Sequence, residues 1–189
     1  PALVPVPAGP APPGPDPAAV VPAVLFPPPP VTAGVTVDPA GGAWLRDRAA
    51  AALARISYPW PSLGYEIAFH PARPGLRART LLHERRIDVY ARASDPVDQT
   101  AFDVAHEVAH AFDFSRGTWA DRERWQAARG LDPALAWFGC NACADLATPA
   151  GDFAESFAAW QVPGGDFAST LGPPPDDSQR ALIAGLTAR

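Results

Sequence analysis

"VAHEVAHAFD", Val104–Asp113, decides how the rest of the chain is read. Histidine is scarce: the 189 residues hold four, and His106 and His110 stand four apart with Glu107 between them. The surrounding stretch, "SDPVDQTAFDVAHEVAHAFDF" (94–114), carries the clearest helical signal in the chain. Asp95 is placed to cap it, Pro96 to take the first position, and Asp98 to face the positive end of the helix dipole. Val97, Ala101, Val104, Val108 and Phe112 recur as one apolar stripe. On a wheel of about 100° per residue, His106 and His110 point away from that stripe, about 40° apart and one turn along the axis.

Both imidazoles therefore reach one point in space, with Glu107 beside it. Two neutral imidazoles at this spacing suit Zn²⁺, and the adjacent carboxylate suits proton abstraction from a metal-activated water. The alternative is a solvated helix face, which would need H-E-x-x-H to arise by coincidence in a chain with four histidines and five glutamates. A third protein ligand is expected downstream. "AGDFAESFAAW" (150–160) is the segment that sets acids against a strongly apolar helix face. Asp152 and Glu155, three apart, lie opposite Phe153 and Phe157. One of Asp152 and Glu155 is expected to bind the metal, with the other in support. Asp103 and Asp113 lie close in angle to His110 and His106, where an acid can orient an imidazole through its other nitrogen.

"HEVAHAFD" and "GDFAESFA" together resemble the gluzincin metallopeptidases, nearest in motif to the group of the anthrax lethal factor catalytic domain and the Pro-Pro endopeptidases. The likeness covers about residues 65–165, and only the two motifs are specific. It implies a zincin-like α+β fold, Zn²⁺ as cofactor, His106 and His110 as ligands and Glu107 as general base. In that group the zinc-binding glutamate stands four residues before the glutamate of F-A-E, a position held here by Gly151. The neighbouring Asp152 is the substitute this comparison favours. A second comparison, with the "EGFA" of zinc aminopeptidases, makes Glu155 the ligand. Many relatives also carry a tyrosine or histidine that stabilises the oxyanion. No tyrosine follows Tyr90 in this chain, so Tyr65, His83 or Tyr90 would have to serve.

The remaining sequence frames this site. Thirteen of the 25 prolines fall in the first 30 residues, with "PPPP" at 27–30, so residues 1–37 read as a Pro-rich linker and 38–189 as the folded domain. Helical spacing recurs from Asp38-Pro39 to Ile56, and again over 118–130, 151–160 and 177–186. "YEIAFH" (65–70), "RARTLLHE" (77–84) and "RIDVYAR" (86–92) read as strands of a small, mostly antiparallel sheet packed on the 94–114 helix. All 15 basic residues are arginines, scattered without a run that would suit nucleic acid. No apolar run is long enough to span a membrane. Cys140 and Cys143, in "CNAC", read best as a local disulfide, since no second pair completes a four-cysteine zinc site. The chain opens on Pro1. That opening, the tail and the disulfide suggest an exported or envelope-associated protein.

The expected function is zinc-dependent hydrolysis of peptide bonds in a peptide or protein substrate. The competing expectation is a binding module that keeps the metal without turnover.

Overall fold

The computed structural model describes residues 33–140 and 143–188. It is an α+β arrangement of four strands and five helices among those residues. The strands are β1 (Gly34–Val37), β2 (Glu66–Pro71), β3 (Ala78–Leu81) and β4 (Arg86–Ala91). The helices are α1 (Gly42–Leu53), α2 (Val97–Arg116), α3 (Trp119–Arg129), α4 (Pro149–Gln161) and α5 (Asp177–Thr187).

The sheet runs β1-β2-β4-β3. It is mixed, which corrects the mostly antiparallel expectation: β1–β2 and β2–β4 are parallel, and only β3–β4 is antiparallel. The cause is connectivity. Helix α1 carries the chain back between β1 and β2, as a parallel pair requires, whereas a tight turn after Leu81 folds β4 against β3. The boundary at residue 37 also needs correcting, because β1 takes 34–37 into the sheet. The rest of the segment read as a linker, residues 1–32, lies outside the described residues.

Alternation along the strands divides the sheet into two faces. Ile67, Phe69, Ile87 and Val89, all almost fully buried, point to the side covered by α1 and α2. The opposite face is tied by charge. Asp88 is only 2 % exposed and accepts hydrogen bonds from Arg79, Arg86 and His70. Burial raises the Asp88 carboxyl, but these bonds outweigh it and hold the group below its ordinary value.

Helix α2 lies between the sheet and α4 and is buried along most of its length. Its stripe (Val104, Val108, Phe112) joins Phe153 and Phe157 of α4 in a core that also contains Trp125 and Tyr58. The start of α2 differs in detail from the sequence expectation. Pro96 occupies the cap position and no side chain caps the helix; Asp95 accepts from Arg77 instead. Helices α3 and α5 carry the S/T/D-x-x-acid/amide signature as true capping boxes, Thr118 with Asp121 and Asp176 with Gln179.

Candidate metal centre

His106 and His110 project from the middle of α2, and their Nε2 atoms stand 3.1 Å apart. Asp145, in a 3-10 turn just before α4, brings Oδ2 to 2.9 Å from His106 Nε2 and 3.3 Å from His110 Nε2. These three atoms close a small triangle open to solvent on the side of Asp145, whose side chain is 47 % exposed.

The far nitrogen of His106 fixes the chemistry of the triangle. Nδ1 lies 2.9 Å from Oε1 of Glu155, a carboxylate 4 % exposed, so the ring donates its N–H there. In the neutral tautomer this leaves a lone pair on Nε2, aimed at Asp145 and His110. His106 Nε2 and Asp145 Oδ2 are then two acceptors facing His110 Nε2, an arrangement satisfied by a proton on an imidazole or by a cation among the three atoms. With a proton there, His106 is driven upward. Burial disfavours its cation, but the hydrogen bonds to Asp145 and Glu155, helped by the charge of Glu107, push it up to about 10. For Asp145, burial works in the other direction, and the two imidazoles still hold its carboxyl well below the usual range.

The same points fit a metal. Bonds of about 2.0–2.1 Å at tetrahedral angles put neighbouring donors about 3.3 Å apart, and an N₂O donor set with one open side suits Zn²⁺. Glu155 has the carboxylate role commonly found behind a metal-binding histidine. It is itself fixed by α4 and by the Ala168 N–H, which donates to Oε2 at 2.6 Å.

Glu107 stands beside the triangle. Its Oε2 accepts from Thr80 Oγ1 of β3 at 2.7 Å, and among the described residues no hydrogen bond reaches Oε1. It borders two clefts that meet at the centre, one of about 330 Å³ on the His110 side and one of about 520 Å³ on the His106 side. Strand β3 forms their shared rim and is pinned to α2 at two places. These are Thr80 with Glu107, and Arg77 with Asp103, whose two oxygens lie 3.0 and 3.1 Å from Arg77 Nε.

Several expected residues have other work. Asp152 is fully buried away from the triangle, where it accepts from Arg129, Trp125 and Ser169, so it is no metal ligand. Asp103 is engaged by Arg77 and Gln99 rather than by an imidazole. Asp113 accepts from Arg122 and Trp137 and anchors the loop after α3. Tyr65 is buried in the core, and Tyr90 stacks on His70; neither lines a cleft. His83 meets Phe114 edge to face at the outer rim. Cys140 and Cys143 form the expected disulfide, two residues before Asp145.

Asp145 is the residue that sequence reasoning missed. It sits in a turn, and a turn has no periodicity to reveal which way a carboxylate points. The structure ties Asp145 to Gly151. A Cβ built there would lie 2.0 Å from the Asp145 carbonyl oxygen and 2.8 Å from its Oδ2. The glycine therefore stands where it does because Asp145 fills the space that a side chain at 151 would enter.

No protein-family model, curated protein or solved structure matches the chain.

Proposed function

We propose that the chain is a zinc-dependent peptidase of zincin type, with His106, His110 and Asp145 as the metal ligands. The observation that supports it best is the convergence of His106 Nε2, His110 Nε2 and Asp145 Oδ2 on one point beside Glu107, whose Oε1 has no hydrogen bond among the described residues. The sheet with its edge strand above the H-E-x-x-H helix supports the zincin reading, as do the two clefts meeting at the centre.

A bound zinc ion supplies a Lewis acid that acidifies water and polarises a carbonyl group. The protein residues do the rest. Glu155 keeps His106 in the tautomer that presents Nε2. Thr80 steadies Glu107 through Oε2. Oε1 of Glu107 is left to take a proton from the attacking water and return it to the departing amine. The free edge of β3 holds an extended peptide across the centre. β4, the strand of "RIDVYAR", is interior in the sheet and offers no such edge.

A second reading, a metal-stabilised module that binds peptides without cutting them, is favoured by one observation: no tyrosine lines either cleft. Glu107→Gln separates the two. The peptidase reading expects the variant to keep wild-type zinc content and to lose at least about a hundredfold in hydrolysis, as loss of a general base does. Hydrolysis retained in Glu107→Gln rejects the mechanism, and zinc uptake without wild-type hydrolysis of any peptide in a broad library leaves the binding module.

A further inference from the structure

The two clefts share Ala78, Glu107 and Asp145 and differ in the rest of their lining. The cleft on the His110 side has Leu82, Phe114, Phe138 and Ala150 in its wall, beside Arg79, Thr80 and Thr148. Phe114 and Phe138 are 48 % and 51 % exposed, which is unusual for phenylalanine. Beyond the cleft, the Arg122 guanidinium lies 4.9 Å from the Phe138 ring centre and 4.6 Å from that of Trp119, itself 64 % exposed. Two half-exposed phenylalanines and a leucine lining one cleft beside a polar centre suit an apolar ligand group. The cleft on the His106 side has mixed walls, with Arg77, Gln99, Asp103 and Asp166 beside Leu76, Phe102 and Leu146.

Strand β3 fixes which end of a peptide meets which cleft. The Tyr90 N–H donates to the Arg77 carbonyl, and Ala78 pairs with Val89. Antiparallel hydrogen bonding alternates, so Ala78 and Thr80 turn their backbone N–H and C=O groups to the free edge. Ala78 borders both clefts, whereas Thr80 and Leu82 border only the aromatic one. Antiparallel pairing is the more stable per residue. A peptide added to this edge antiparallel to β3 therefore has its amino-terminal half beside Leu82 and its carboxyl-terminal half beside Arg77.

Resting on the peptidase reading for the cut itself, we propose that the substrate is an extended peptide with a large apolar side chain, aromatic or long aliphatic, on the amino-terminal side of the cleaved bond. Leu82, Phe114 and Phe138 select it.

The test uses the zinc-loaded full chain with Glu107→Gln, so that binding is read without turnover. Two fluorescein-labelled ten-residue peptides of Ser, Gln and Ala are compared by anisotropy, one with a single central Phe and one with Ser in its place. The Phe peptide is expected to bind at least tenfold tighter, and Phe114→Ser with Phe138→Ser is expected to abolish the difference. Both rings are half exposed, so this pair of changes leaves the core intact; Leu82→Glu serves as a second variant with the same expectation. Equal binding of the two peptides, or a preference unchanged in both variants, overturns the inference. The wild-type protein is then given the Phe peptide and the cut is mapped by mass spectrometry. Phe on the amino side is expected, and Phe on the carboxyl side overturns the inference while leaving a peptidase. Selective binding with no cut removes the peptidase reading and leaves the apolar subsite standing.

Discussion

At the scale of single residues, the centre depends on an exchange between positions 145 and 151. Gly151 stands in the first turn of α4, and only its lack of a side chain lets Asp145 lie over that turn. Thr148 holds the turn from the other side: its Oγ1 accepts the Gly151 N–H at 3.0 Å and donates to the Asp145 carbonyl at 2.9 Å. Gly151→Ala is a test of this arrangement. The added methyl group must displace Asp145, so the expected result is a drop of at least tenfold in zinc affinity, with the far-ultraviolet circular dichroism of the helices retained. Wild-type zinc affinity in Gly151→Ala would show that Asp145 is not held in this way. Gly151, which departs from the gluzincin motif, and Asp145, the proposed ligand, touch each other, which one-dimensional comparison cannot show.

At the scale of elements, α4 has two carboxylates with separate duties. Glu155 faces α2 and His106; Asp152, three residues earlier, faces α3, where Arg129 donates to it at 2.7 and 2.8 Å. That pair is essentially sealed from solvent, with side chains 2 % and 0 % exposed. Removing one partner strands a buried charge, so Asp152→Ala is expected to cost about 3–5 kcal/mol of stability. Denaturant melts would measure this, and the protein that stays folded should still bind one zinc. A stable Asp152→Ala chain that has lost its zinc would reinstate Asp152 as a ligand. The helices were legible because amphipathic periodicity, proline and capping residues mark them; α2 through α5 lie within a few residues of the ranges read from sequence. Periodicity does not say which acid on a polar face meets an arginine and which meets a histidine, and Asp152 and Glu155 show the difference. Nor does it carry strand direction. β2 and β4 alternate as an antiparallel pair would, yet they run parallel because the chain crosses over between them. β1 was missed because four residues after a proline-rich run give too short a pattern to stand out.

At the scale of the whole molecule, the proposed ligands come from two places far apart in sequence: the middle of α2 and the turn before α4. An ion held by both ties the central helix to the layer beneath it. Anything that binds the folded state alone stabilises it, by about 4 kcal/mol at a thousandfold excess over the dissociation constant. Removing zinc with a chelator is therefore expected to lower Tm by several degrees, and zinc added back should restore it. The Asp88 network on the far face of the sheet is independent of the ion and should respond to pH instead. Its carboxyl lies below the ordinary value in the folded state, so its contribution is complete above the unfolded pKa and is lost as pH falls through the folded one. Among the described residues no helix is long and apolar enough to cross a membrane.

The measurement that bears most directly on all of this is metal stoichiometry, by elemental analysis, on the wild-type chain and on Asp145→Ala, each checked for folding by circular dichroism. The account predicts close to one zinc per wild-type chain and a large loss in Asp145→Ala without loss of helix. A wild-type chain that takes up no zinc, or an Asp145→Ala chain that keeps it, would contradict the account.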